Sequence, residues 1–345
     1  MLVGVHTAYP TRHARFAHRF EAILDHNRLE HIRLDVGEPS FWDRVRNLDL
    51  FIYWWGHEYY ERQLALSVIP LVELELEVPC LPNMRTCWAY DDKIREYYMM
   101  RLHGYPMAES WVFWDLNQAL DWMEAADLPL VFKLRGGAGS SNVVLVKDRP
   151  SGRRLIRRMF KSGMTSGNVP LSVVRRIGNN PWRTLYGWAA GARLKLHPRR
   201  ATPGRELHKN YVLFQRYLPG NDYDTRVTVI GDRAFAFRRY NGPKDFRASG
   251  SGRMNWDRDM IDLRFVRLAF EISSFFRFQS MAYDFLYDSD RSPSLCELSY
   301  TYVDAAVREC PGFWDASLRW HEGHFWPQYC LLADALDLPD MRQPD

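Results

Sequence analysis

The pattern of apolar and polar positions alternates between two lengths of run. Leu2 to His6, His31 to Asp35 and Asp49 to Trp55 are short and strand-like. Arg12 to Asn27 has helical spacing, with Phe16, Phe20, Ile23 and Leu24 on one face, and Glu58 to Leu74 reads the same way. Strands that alternate with helices predict a small parallel sheet under helical cover, closing at Val78-Pro79-Cys80. This gives a first α/β domain over residues 1–88.

The pattern then changes. Asp91-Asp92-Lys93 opens a helix to about Leu102, Glu109 to Trp114 reads as a strand, and Leu116 to Ala126 as a helix. Leu130 to Phe132 and Asn142 to Val146 are strand-like and flank a loop of small residues, Arg135-Gly136-Gly137-Ala138-Gly139-Ser140-Ser141. A helix over Arg153 to Lys161 has Leu155, Ile156, Met159 and Phe160 as its apolar face. From Tyr211 the period is two, predicting strands Tyr211 to Leu218, Thr225 to Ile230 and Ala234 to Tyr240. A tight turn at Ile230-Gly231-Asp232-Arg233 joins the last two. A helix from about Ile261 to Phe276 precedes strands Ser280 to Tyr287 and Ser294 to Leu298, and an aromatic tail from about Ala305 reads as helical. The class is α/β followed by α+β, divided at 1–88, 89–210, 211–304 and a helical cap at 305–345.

With 345 residues, 46% of them apolar, the chain can build several cores. No apolar run reaches the roughly 20 residues of a membrane span. Five scattered cysteines without zinc spacing point to a reduced, cytoplasmic protein. Net charge is +4, but residues 151–210 hold 14 Lys or Arg against the single acid Glu206, so that segment carries +13 and the rest −9. It reads as a solvated face or as a patch for an anionic acceptor or membrane surface. No nucleic-acid motif accompanies it, and a nucleic-acid partner is not expected. Nothing in the sequence decides for or against a homo-oligomer.

The glycine loop can present successive backbone N–H groups to an anion, and Lys133 adds a charge at the end of its first strand. It lacks the Gly-Lys-Ser/Thr of a nucleotide-binding P-loop and the strand–turn–helix setting of a dinucleotide site. Taken alone, it is read equally well as an ordinary hairpin. Trp54-Trp55-Gly56-His57-Glu58, just past a strand end, and His6 are either a ligand rim or aromatic packing with two histidines. His321-Glu322-Gly323-His324 lacks zinc-motif spacing and reads as part of a packed cap. Asp284 and Glu297, inside apolar strands, call for a cation, and hard oxygen ligands suit Mg²⁺.

In this order the motifs resemble the ATP-grasp superfamily, in the branch of glutathione synthetases and ribosomal-protein glutamate ligases. The resemblance covers about residues 89–300 and more weakly the preceding domain, and it implies an ATP-grasp fold with an N-terminal pre-ATP-grasp α/β domain. It implies ATP and Mg²⁺ as cofactors. Lys93, Lys133, Gly136, Gly137, Gly139, Ser140, Ser141 and Arg247 would meet phosphates. Gln215, Arg216, Tyr217 and Leu218 would form the adenine hinge, and Asp224 would accept from the ribose. Asp284, Glu297 and Ser299 fall where metal ligands fall, although Ser299 stands where the family usually has Asn. Lys133, Arg226 and Arg247 would serve the reaction, with Arg226 on the transferring phosphoryl group or the substrate carboxylate. That reaction is carboxylate–amine ligation through an acyl phosphate, forming an amide on a small molecule, peptide or cell-envelope polysaccharide precursor. An ATP-grasp kinase acting on a hydroxyl, and a non-catalytic nucleotide- or anion-binding protein, are the alternatives.

Overall fold

The computed structural model describes residues 1–6, 14–137, 143–165, 206–242, 245–248, 250–338 and 340–344. They pack as two compact units. The first comprises Met1–Gly56, Glu61–Ala108 and Leu218–Asp345, and the second His57–Tyr60 and Glu109–Tyr217.

The first unit begins with strands β1 (Leu2–His6), β2 (Glu30–Leu34), β3 (Leu50–Ile52) and β4 (Cys80–Leu81), all parallel in the order β2-β1-β3-β4. Helix α1 (Ala14–His26) buries Phe16, Phe20, Ile23 and Leu24, the face that its spacing predicted. Helices α2 (Phe41–Val45), α3 (Tyr59–Pro70) and α4 (Met84–Cys87) follow, and a π-helical turn at Leu71–Glu75 extends α3. Helix α5 (Lys93–Leu102) is N-capped by Asp92, whose carboxylate accepts from Arg95 N–H at 3.1 Å.

In the second unit, β5 (Ser110–Phe113), β6 (Leu130–Lys133), β7 (Val144–Val146) and β10 (Val212–Arg216) form an antiparallel sheet in the order β5-β10-β6-β7. Helices α6 (Leu116–Ala125) and α7 (Arg149–Lys161) lie against each other. Gly152 permits this: a β-carbon there would stand 2.5 Å from Met123 Sδ. Ile156 and Met159 of α7 are buried, and Trp122 packs on Phe214 with ring centroids 5.5 Å apart. A short ladder pairs β8 (Met164–Thr165) with β9 (Leu207–His208).

The first unit resumes with a larger sheet. Strands β11 (Tyr223–Ile230), β12 (Arg233–Tyr240), β13 (Met254–Asn255), β14 (Ser280–Tyr287), β15 (Pro293–Ser299), β16 (Gly312–Asp315) and β17 (Trp320–Glu322) run in the order β15-β14-β11-β12-β16-β17, with β13 on β12. The β11–β12 turn has Gly231 at φ +56°, which glycine adopts without steric cost. Val227, Val229, Met281, Tyr283 and Phe285 share one face and meet the helix Leu263–Phe276, whose Phe265 stacks on Phe285 at 5.1 Å. The tail departs from the expected helical cap. Asp304–Arg308 and Pro327–Leu336 are helical, but β16 and β17 lie between them and extend the sheet, with His321 stacked on Phe313 at 4.9 Å. Aromatic residues suit a pleated surface as well as a helix, so composition alone did not separate the two.

The packing also joins two segments that the sequence placed in different domains, 89–210 and 211–304. The outer edge of β15 is covered by the chain around α5: Ala108 N–H donates to Leu295 O at 2.9 Å, and Leu295 N–H to Pro106 O at 2.9 Å. Covering an edge in this way satisfies its outward backbone groups.

Candidate functional site

Strand alternation places charge on the other face of the large sheet. Arg226 on β11 is the register partner of Asp284 on β14, and Asp284 that of Glu297 on β15. The ladder slips between Asp284 and Phe285, whose partners are Glu297 and Leu295, so Cys296 is the extra residue of a bulge. Two positions back on β11, Asp224 is the register partner of Arg239 on β12. All five side chains lie on one side of the sheet.

These groups hold one another. Arg226 grips Asp284 with a fork, Nε to Oδ1 at 2.7 Å and Nη2 to Oδ2 at 2.8 Å. Arg239 grips Asp224 likewise, at 2.7 and 2.6 Å, and its Nη2 also reaches Asp284 Oδ2 at 2.7 Å. Bidentate pairs of this kind combine charge with fixed geometry. Burial opposes ionisation of Asp284, yet Arg226 and Arg239 hold its carboxyl well below the ordinary 3.8. Burial lifts Asp224 above its ordinary value against the pull of Arg239.

A second cluster adjoins the first. Lys93 Nζ, at the start of α5, lies 3.1 Å from Glu297 Oε1. Burial works against this ammonium, but Glu297, Asp91 and Glu96 outweigh it and raise its pKa. Glu96, one turn further along α5, is 1% exposed. Its Oε2 accepts from Leu298 N–H at 3.3 Å, and among the described residues its Oε1 has no hydrogen-bond partner. Burial raises its pKa well above the ordinary 4.5, against the pull of Lys93. Ser299 Oγ donates to the Thr301 carbonyl at 2.8 Å, and Thr301 Oγ1 donates to Tyr90 OH at 2.8 Å. Beside them Tyr300 OH accepts from Trp55 N–H at 3.1 Å, while Trp54 stacks on Phe16 at 4.2 Å. Trp54 and Trp55 are therefore buried packing residues. His6 is buried too, which lowers its pKa, and its Nδ1 lies 3.1 Å from Leu34 O.

Arg247 pairs with its near neighbour Asp245, Nε to Oδ1 at 2.9 Å and Nη2 to Oδ2 at 2.7 Å; this pairing lowers the Asp245 pKa and raises that of Arg247. In the second unit, Lys133 is buried at the end of β6 opposite Leu213. Beyond it Arg135 N–H donates to Tyr211 OH at 2.7 Å, and Gly137 has φ +111°, a conformation suited to glycine. Gln215 Nε2 reaches Ser110 Oγ at 3.3 Å; Arg216 ends β10, and Tyr217 and Leu218 follow it. Gly139, Ser140 and Ser141, and residues 166–205 of the basic segment, lie outside the described residues.

Two expectations for single residues meet different partners. Asp224, expected at a ribose, gives both carboxylate oxygens to Arg239. The expected metal trio of Asp284, Glu297 and Ser299 is likewise engaged by Arg226, Arg239, Lys93 and Thr301. Mg²⁺ requires oxygen ligands that face it, not guanidinium N–H groups. Among the described residues no group of three His, Cys, Asp or Glu side chains could hold a metal ion. The trio as arranged does not fit a divalent cation. Sequence reading missed Arg239 and Glu96. Arg239 was within reach: counting back along both strands from the Gly231 turn puts it opposite Asp224.

No protein-family profile matches the chain, and no curated protein matches it. Solved structures do. D-cycloserine synthetase DcsG matches with a TM-score of 0.59 at 14% identity, over 98% of this chain and 99% of that one. The ATP-grasp ligase PsnB, complexed with precursor peptide PsnA2 and AMPPNP, gives 0.55 at 13% identity, over 97% and 98%. A RimK-domain ATP-grasp protein from Sphaerobacter thermophilus gives 0.53 at 11% identity, over 89% and 93%. At such identities the likeness is one of fold. Among the described residues no helix is long and apolar enough to cross a membrane.

Proposed function

We propose, from the premise that the chain has the ATP-grasp fold, that it is an ATP-dependent ligase joining a carboxylate to an amine. The observation that carries this reading is the group of cations gathered at the large sheet, Arg226 and Arg239 on its strands and Lys93 from α5, each fixed by a carboxylate partner within 3.1 Å. Held in place before any ligand arrives, such groups neutralise phosphoryl oxygens at little reorganisation cost. A carboxylate substrate attacks the γ-phosphate, releasing ADP and forming an acyl phosphate, and an amine then displaces phosphate. The chain's own contribution is positioning and charge. Lys93, Lys133 and Arg247 take phosphate oxygens, Gly136 and Gly137 offer backbone N–H groups, and Arg226 meets the transferring phosphoryl group or the carboxylate. Gln215, Arg216, Tyr217 and Leu218 frame the adenine. Peptides and cell-envelope precursors are the first substrates to try, and an anionic acceptor would use the basic segment 151–210.

Two measurements test the proposal. An ADP-release screen over carboxylates, with and without amines, should find turnover that yields an amide and requires the amine. Turnover onto a hydroxyl with no amine would make the protein a kinase instead. Calorimetric titration of Lys133→Ala with AMPPNP should show a loss of roughly 1.5–3 kcal/mol, about ten- to a hundredfold in affinity. Wild-type affinity in that variant would remove Lys133 from the phosphate site.

A further inference from the structure

Resting on the nucleotide reading above, we propose that Asp224 serves the nucleotide through Arg239: it positions this guanidinium for phosphate oxygens and does not itself hold the ribose. The two residues stand opposite each other, Asp224 on β11 and Arg239 on β12. Both Asp224 oxygens take one edge of Arg239, with Nε to Oδ1 at 2.7 Å and Nη2 to Oδ2 at 2.6 Å. Such a fork fixes the plane of a guanidinium as well as its place. Asp224 is 9% exposed, so a ribose hydroxyl reaching it would compete with two charge-assisted bonds to a buried carboxylate.

The same hold leaves one donor of Arg239 for a ligand. Its Nη2 also reaches Asp284 Oδ2 at 2.7 Å, so Nε and Nη2 are both committed. Nη1 takes no acceptor among the described residues, yet it is not shut away from solvent. Alternation along β12 sends the neighbouring Arg238 to the opposite face, where it lies 4.2 Å over the Tyr223 ring. Arg239 is therefore the cation that this pair brings to the face of Arg226 and Asp284. Without the Asp224 fork, among the described residues only the Asp284 contact holds Arg239, and a guanidinium on one contact can turn away.

Calorimetric titration of the full chain with AMPPNP, alone and in competition with adenosine or inorganic tripolyphosphate, tests this without turnover. Adenosine carries the ribose without phosphates, and tripolyphosphate the phosphates without a ribose. Asp224→Asn keeps the shape of the side chain but turns an N–H₂ group on the fork. AMPPNP and tripolyphosphate affinities should then fall about tenfold or more, while that for adenosine stays within about twofold. Where that variant does not fold, Arg239→Lys should show the same pattern, since it keeps a charge beside both aspartates and gives up the fork. A loss for adenosine with tripolyphosphate unchanged makes Asp224 a ribose ligand and overturns the inference. An equal loss for all three probes, the mark of a structural role, overturns it too, as does no loss for any. Each of these leaves the nucleotide reading standing. A wild-type chain that binds neither AMPPNP nor tripolyphosphate removes the nucleotide reading and the inference together.

Discussion

Asp284 and Glu297 are cross-strand partners on one face of one sheet, yet their surroundings are opposite. Around Asp284 two acids meet two guanidinium groups, each carboxylate is gripped by a fork, and Asp284 is driven towards its charged form. Around Glu297, Lys93 faces Glu297 and, within its field, Glu96 and Asp91, the last of these also reached by Arg62 at 3.4 Å. Burial, with Glu297 adding to it, raises the Glu96 pKa, and among the described residues one of its oxygens has no hydrogen-bond partner. Buried charge is tolerated when balanced locally, and where it is not, a group takes up a proton instead. The first cluster is balanced in charge and rigidly held, and the second is not balanced in the same way.

Breaking the balanced cluster should have the largest effect. Asp284→Asn leaves the half-buried Arg226 and, in part, the buried Arg239 without their counter-ion, which should cost about 3–5 kcal/mol. Urea unfolding at neutral pH measures it, and a loss below about 1 kcal/mol would mean that the network contributes little to the fold. The acid side sharpens the contrast. With its pKa below the ordinary 3.8, Asp284 stabilises the fold above that pH and loses its contribution as pH falls through its folded-state value.

Glu96 has the opposite sign. With its pKa above the ordinary 4.5, its contribution is fully present below that pH and is lost as pH rises through its folded-state value. Glu96→Gln removes the charge and puts an amide at the unpartnered position. The variant should match wild type near pH 4 and exceed it by about 1–3 kcal/mol near pH 9, the cost of a buried unsatisfied group. Unfolding free energies at several pH values test this, and a difference that does not grow with pH would count against a proton on Glu96.

The smallest change is expected at Ser299. Its visible role is a hydrogen bond to the Thr301 carbonyl and a longer one, 3.4 Å, to the Thr301 hydroxyl, so Ser299→Ala should cost about 1 kcal/mol. Nucleotide affinity and turnover should stay near wild type. A large loss of turnover with unchanged stability would return Ser299 to the reacting centre.

Periodicity alone determined most of the elements. Ser280–Tyr287 has the predicted bounds, and the strands about the Gly231 turn and helices α5 and α6 lie within a residue or two of theirs. The motif order pointed to the ATP-grasp fold, which the solved structures share. These features are local: a strand or helix writes its own spacing into the sequence, and a hairpin turn fixes the register of its two strands. The sequence thus settled that Arg226, Asp284 and Glu297 are strand residues. Only the tertiary structure decided what each of them meets. The order β15-β14-β11-β12 brings Arg239 to Asp284 from two strands away, and α5 carries Lys93 to Glu297 across about two hundred residues of chain. A charge names its partner only once such non-local contacts exist, because pairing depends on distances that spacing along the chain does not contain.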